Sequence, residues 1–228
     1  MEIRKTFVLR AGGIATVALS VLLWVSGSSL PNSRAPLVVV CAGDSLMRPV
    51  PAHFRELAPA EGFDLEIHEW AQGGLNSETY LSFFFQNLPD WEKTRCDAIL
   101  LQLGTNDAVP ILEGKRTLEE FRSNMTMIIR QFRNFQRPNG KRCLVFLATV
   151  PYFCEQPESA EKNRIVDSVI NPVLMEIAKA DGVILVDQYL VLRSHPELYD
   201  PDCVHPNGAG EIALARNWLR ALRAILLF

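Results

Sequence analysis

Five short apolar runs constrain this chain more than anything else in it. LVVVC at 37–41 lies between Pro36 and Gly43, DAILLQL at 97–103 stops at Gly104, CLVFLATV at 143–150 stops at Pro151, and GVILVD fills 182–187. The fifth, FDLEIHEW at 63–70, follows Gly62 and alternates. Each is too short for a core helix, and all but the alternating one are too uniformly apolar for a strand with one wet face. They read as strands buried on both sides. Helical patterns lie between them, at 77–88, 117–135, 160–180 and 209–227, with a first helix around His53. The clearest is 117–135. Thr117 and Glu120 make a capping box, and Leu118, Phe121, Met125, Ile128, Phe132 and Phe135 keep one face apolar. In the last helix Ile212, Ala215, Leu219 and Leu222 fall in register. Strands and helices in alternation, joined by right-handed crossovers, predict an α/β fold: a five-stranded parallel sheet in a three-layer α/β/α sandwich. Such sheets gather function at the carboxyl ends of their strands.

The chain is long enough for one such domain and little more. It has 228 residues, of which 48% are hydrophobic and 21% charged. A formal net charge of −3 and the lack of any long basic run argue against nucleic acid as a partner. Five cysteines, Cys41, Cys96, Cys143, Cys154 and Cys203, form no C-x-x-C pair and show no metal spacing, so neither a metal nor a cofactor is expected.

The first thirty residues differ in kind. Arg4, Lys5 and Arg10 precede seventeen uncharged residues, AGGIATVALSVLLWVSG. A basic start followed by an apolar run is the layout of an export signal. The run is also just long enough to anchor the chain in a bilayer. A buried helix fits less well, because the segment has no polar face. Lys5 stands where a twin-arginine signal has its second arginine, and no cysteine closely follows the run to carry a lipid. The expected organisation is residues 1–30 as signal peptide or membrane anchor, 31–36 as linker and 37–228 as the folded domain. The expected location is periplasmic or extracellular, with membrane association through the N-terminal segment if it is retained.

Three blocks of polar residues fall just after strands. Gly43-Asp44-Ser45-Leu46 follows the first and places Ser45 on the turn into a helix, where free N–H groups and the positive end of the dipole favour an oxyanion. Taken alone, this serine is equally a helix cap. Gly73-Gly74 follows the second strand, and a glycine there exposes a backbone N–H at no steric cost. Gly104-Thr105-Asn106-Asp107 follows the third, and the Asn106 amide can donate to an oxyanion or simply close a turn. A fourth block, Asp202-Cys203-Val204-His205-Pro206-Asn207, precedes the last helix. Its spacing lets Asp202 accept from one ring nitrogen of His205 and leaves the other as a base. His53, His68 and His195 have no carboxylate at comparable spacing on a strand-end loop.

Taken together, and in this order, the blocks resemble the SGNH hydrolase superfamily, the GDSL-like lipases and acylhydrolases, over about residues 37–215. Ser45 matches the first block, where GDSL is present literally, Gly74 the second, Asn106 the third, and Asp202 and His205 the D-x-x-H-P of the last. The resemblance implies a flavodoxin-like SGNH fold and a serine esterase. Ser45 would be the nucleophile, His205 its base and Asp202 the base's partner. The oxyanion hole would comprise Ser45, Gly74 and Asn106. It implies a small-molecule, glycan or lipid ester as substrate and no cofactor. Export points to O-acylated material of the cell envelope. Two alternatives use the same fold: acyl transfer to a sugar hydroxyl, and a glycan-binding module without catalysis. Met47-Arg48-Pro49-Val50-Pro51 departs from the usual continuation of the first block. The two prolines restrict the first helical turn, and Arg48 is either solvated or in reach of an anionic substrate.

Cys154 and Cys203 fall on loops after the fourth and fifth strands. If those strands are neighbours, both loops emerge at the same sheet edge and a disulfide is open to them in an oxidising compartment. The alternative is two unpaired thiols. Cys41, Cys96 and Cys143 fall in or beside buried strands.

Overall fold

The computed structural model describes residues 35–226. The N-terminal apolar segment and most of the linker lie outside that range. Among the described residues no helix is long and apolar enough to cross a membrane.

Five parallel strands form one sheet: β1 (Leu37–Gly43), β2 (Leu65–Ala71), β3 (Ala98–Gln102), β4 (Leu144–Ala148) and β5 (Ile184–Val186). Their order is β2-β1-β3-β4-β5. The register pairs Gly43 with both Ala71 and Gln102, Leu101 with Leu147, and Ala148 with Val186. The order reverses between β1 and β3, and there the crossovers leave the sheet toward opposite faces and open a crevice. Each strand lies within two residues of the run that predicts it.

Side chains alternate across the sheet and divide the core in two. Val39 and Cys41 of β1, Leu100 of β3 and Phe146 of β4 point one way, toward α1 (Val50–Leu57) and α8 (Gly208–Leu226). Trp218 and Leu222 of α8 are buried there with Phe54 of α1. Val40, Ala42, Leu101 and Leu147 point the other way, toward α2 (Ser77–Trp91) and α4 (Leu118–Phe132). Tyr80, Phe84, Phe121 and Phe132 fill that second core with no exposed surface. The three-layer sandwich is thus the observed fold. The Thr117 capping box is present, with the hydroxyl accepting from Glu120 N at 3.1 Å and the Glu120 carboxylate accepting from Thr117 N at 2.7 Å.

The differences lie in details with local causes. The helix α2 runs one turn past Leu88, through Pro89, to Trp91. The run at 160–180 is α5 (Ala160–Ile165), a π-helical stretch over Val166–Ile170 and α6 (Asn171–Asp181). Pro172 has no N–H to offer the regular ladder, and the wider π turn precedes it. Two short helices, α3 (Ala108–Leu112) and α7 (Tyr189–Leu192), fall where the sequence predicts only loops. Cys154 and Cys203 form a disulfide with Cα atoms 4.8 Å apart, so the pairing holds and the unpaired-thiol alternative does not.

Candidate active site

The four polar blocks meet at the carboxyl edge of the sheet, around the crevice between β1 and β3. The end of β1 is pinned on both flanks. Gly43 O accepts from Gln72 N at 3.0 Å, and Asp44 N donates to Gln102 O at 3.1 Å. Gly43 has φ +143°, and a Cβ there would stand 1.9 Å from Gln102 O, so no other residue allows β1 to lie this close to β3. The chain then turns tightly. Asp44 Oδ1 accepts from Leu46 N at 3.0 Å, and Met47 N donates to Asp44 O at 3.2 Å. Ser45 sits half-buried on that turn.

Here the structure corrects one expectation. Ser45 is not at a helix N-terminus: α1 begins only at Val50, after a turn over residues 45–49, with Pro49 as its N-cap. Pro49 and Pro51 delay the helix, so its dipole does not begin at the serine. What the turn offers instead is unsatisfied N–H groups. Among the described residues those of Ser45, Gly73 and Gly74 donate to no protein acceptor.

His205 stands across from Ser45, with Nε2 2.9 Å from the serine Oγ. Its Nδ1 lies 2.6 Å from Asp202 Oδ2. With the Nδ1 hydrogen donated to that carboxylate, Nε2 is left to accept from the serine hydroxyl. The loop that carries the pair is tightly wound. Asp202 Oδ1 accepts from both Val204 N and His205 N at 2.9 Å. Asp200 N donates to His205 O at 2.8 Å. Partial burial works to raise the Asp202 pKa, but the hydrogen bonds from the His205 ring and the two N–H groups outweigh it and hold the carboxyl down at about 2. The carboxylate is therefore ionised at any ordinary pH. Asp202 and His205 remain about half exposed, so the site opens directly to solvent.

The other two blocks close the crevice. Gly73 makes the near approach: a Cβ on it would lie 3.8 Å from Ser45 Cβ. Gly74, at φ +79°, supplies the left-handed step that follows. Asn106 Nδ2 donates to Leu75 O at 3.0 Å, which fixes the amide beside this loop and leaves its second hydrogen free. Thr105–Asp107 form a 3-10 turn after Gly104. Asp107 is wholly buried and accepts from Ser77 N at 2.9 Å and from Ser77 Oγ at 2.7 Å, which ties the start of α2 to the Asn106 turn.

Two further residues of the same motifs, Asn207 and Asp44, support the site. Asn207 caps α8, its Oδ1 accepting from Ala209 N at 3.0 Å and Gly210 N at 3.2 Å. An asparagine directly before Gly-Ala-Gly and a long amphipathic run is a legible cap signal. Asp44 is completely buried, and its Oδ2 has no partner. Burial is the chief cause that pushes its carboxyl up to about 7. Asp107 adds to the rise, and the bond from Leu46 N, the His205 ring and the Thr105 hydroxyl oppose it. Among the described residues no cluster of side chains could hold a metal. A cleft of about 370 Å³ lined by Leu88, Glu92, Arg95 and Gln131 lies at the far ends of α2 and α4 and shares no residue with this site.

A 2-1-3-4-5 parallel sheet with a hydroxyl, an imidazole and a carboxylate in hydrogen-bonded series at its crevice defines a class, the SGNH-type hydrolases. The GDSL-like lipase/acylhydrolase family model matches residues 36–211, and the chain belongs to that family. It is 24% identical over 221 residues to an acetylxylan esterase of Xylanibacter ruminicola, in a match covering 84% of this chain. The chain spans only 44% of that relative's length. Among solved structures, a lipase/acylhydrolase from Enterococcus faecalis superposes with a TM-score of 0.65 at 20% identity, over 83% of this chain and 96% of the other. The acetylxylan esterase Axe2 from Geobacillus stearothermophilus gives a TM-score of 0.63 at 17% identity, over 82% and 94%.

Proposed function

We propose that the protein is a serine esterase that works through an acyl-enzyme at Ser45. The observation that carries this reading is the continuous series from Asp202 through His205 to Ser45, each link within hydrogen-bond distance. As the Ser45 hydroxyl attacks an ester carbonyl, His205 Nε2 takes its proton. The imidazolium that forms faces an ionised Asp202, which also holds the ring in the productive tautomer. The carbonyl oxygen gains charge beside the Ser45 and Gly74 N–H groups and the free amide hydrogen of Asn106. His205 returns the proton to the leaving alcohol. It then activates the water that releases the acid.

An O-acylated glycan is the preferred substrate class in this reading. It is supported by the similarity to a protein named acetylxylan esterase and by the open site, which suits an ester on a large molecule. The basic start and apolar run of residues 1–30 support an exported location, with that segment cleaved or kept as an anchor.

The test is hydrolysis of p-nitrophenyl acetate and of acetylated xylan by the pure protein, followed by fluorophosphonate labelling. The expected result is acetate release from both, a single labelled residue at Ser45, and a loss on the order of 10⁶ in kcat for Ser45→Ala. Label on another serine, or unchanged turnover in that variant, overturns the assignment.

A further inference from the structure

We propose that Arg48 forms an anion subsite beside Ser45, so that the ester this protein prefers carries a carboxylate close to the scissile bond. The inference rests on the esterase reading and adds the charge of its substrate. Ser45 and Arg48 are three residues apart on one tight turn, held at Met47 N by Asp44 O and continued by Val50 N to Met47 O at 3.1 Å. That spacing puts both side chains on the same side of the turn. They converge on Gly73: the point where a Cβ would stand is 3.8 Å from Ser45 Cβ and 3.9 Å from both Arg48 Cδ and Arg48 Nη1. A guanidinium and the serine thus flank one small patch of bare backbone.

The turn itself is anchored. Met47 and Val50, on either side of Arg48, are buried in the core beneath α1 and α8, so the arginine's backbone is fixed while its side chain is exposed. No described carboxylate pairs with its charge. Arg55 rests on Glu69, Arg137 on Asp97 and Arg223 on Glu61, but Arg48 makes no ion pair among the described residues. The carboxylates around the site are occupied or turned away. Asp202 is bound by His205 and two N–H groups, and Asp44 is sealed beneath the turn with no exposed surface. A planar fork of donors with no partner among the described residues, at the rim of a reacting centre, is suited to an incoming carboxylate. In a glycan this group would be a uronic acid on the alcohol side of the ester. In a dicarboxylic half-ester it would lie on the acyl side.

Two matched pairs of esters distinguish these sources: 4-acetoxybenzoate against 4-acetoxybenzamide for the alcohol side, and mono-p-nitrophenyl succinate against its succinamate for the acyl side. For each pair the ratio of kcat/KM, charged over neutral, is compared in the wild type, Arg48→Lys and Arg48→Ala. The expected result is a ratio that falls at least about tenfold in Arg48→Ala for one pair, mainly through KM, and is largely kept in Arg48→Lys. The wild-type ratio should also decline with added salt. Ratios that stay within twofold in Arg48→Ala for both pairs overturn the subsite. So does an equal loss of kcat on charged and neutral members, which would make Arg48 an oxyanion donor. If none of the four esters is hydrolysed, the esterase reading fails first. Calorimetric titration of the Ser45→Ala protein with 4-acetoxybenzoate and with mono-p-nitrophenyl succinate then decides the subsite on its own. Neither ester binding more weakly once Arg48→Ala is added overturns it, and weaker binding of either one sustains it.

Discussion

At the scale of single residues, the site uses polar groups left partly unsatisfied by the fold. Asn106 shows how one side chain serves two ends. One amide hydrogen donates to Leu75 O and ties two loops together, and the other is free for the oxyanion of the proposed reaction. Asn106→Ala should lower kcat by about 10²–10³, the usual loss for one such donor. Because the bond to Leu75 is lost as well, KM should rise modestly. Steady-state kinetics on p-nitrophenyl acetate separate the two effects, and an unchanged kcat would reduce Asn106 to a loop tie. Asp44 makes a different prediction. Burial raises its carboxyl from 3.8 to about 7, so between these values the folded chain holds a proton that the unfolded chain has released. Stability must therefore fall as pH rises through that window, and the penalty levels off above it. The full span corresponds to roughly 4 kcal/mol as an upper figure. Asp44→Asn removes the ionisation. Its stability relative to the wild type should accordingly improve between pH 4.5 and pH 8, as read by urea unfolding. An identical difference at both pH values would show that the Asp44 carboxyl titrates normally.

Between elements, the loop bearing His205 is stabilised from a distance. Two buried asparagines on the long broken helix each grip a peptide of the segment after β4. Asn171 accepts from Val150 N at 2.8 Å and donates to Val150 O at 3.1 Å, and Asn163 does the same for Phe153 at 2.8 and 3.0 Å. That segment ends at Cys154, and Cys154 is bonded to Cys203, between Asp202 and His205. Cys203 itself has φ +58°, in the left-handed region where a side chain costs about 1 kcal/mol. The disulfide closes a loop across a separation of 49 residues, for which the chain-entropy figure is about 4 kcal/mol. Replacing both cysteines by alanine should lower stability by about 2–4 kcal/mol and reduce kcat, as the loop loosens. Alanine at 154 with glycine at 203 should regain about 1 kcal/mol of stability over the double alanine, because glycine accepts the left-handed backbone freely. Thermal unfolding of the two variants checks this. Equal midpoints would place the loop's cost elsewhere.

These same residues mark where the sequence could be read. The strands were legible because burial on both faces makes them uniformly apolar, and Thr117 with Glu120 announced a helix start in its own letters. Ser45 and Asn106 stood out through their places after apolar runs, and Asp202 with His205 through their mutual spacing just before the last helix. The two asparagine clamps were not legible. An asparagine inside a helical run looks like any polar position until the strand-end peptide it grips is in place, some ten to twenty residues away along the chain. The delayed start of α1 was half-written in Pro49 and Pro51. The short α3 and α7 escaped because one or two turns are too few to show a period.

For the molecule as a whole, every group in the site lies within residues 43–207, inside the unit that begins at Ala35. A chain begun at Ala35 should fold and keep the esterase activity of the full-length protein. Assay of both on p-nitrophenyl acetate tests this, and activity confined to the full-length protein in detergent would show that the N-terminal segment takes part in catalysis. The architecture also has an outcome in time. Ser45 and His205 are 160 residues apart, and the His205 loop is wound against the first turn of the last helix: Asn207 caps that turn, and a Cβ on Gly210 would strike Leu198 O at 2.3 Å. A ribosome delivers the serine 160 residues before the histidine. Until His205 has been made and folded into place, Ser45 is an ordinary alcohol without the imidazole that accepts from it in the folded chain. Because the His205 loop is wound against α8, the pairing of Ser45 with His205 waits on that helix, and the order of the chain keeps the two groups apart until then.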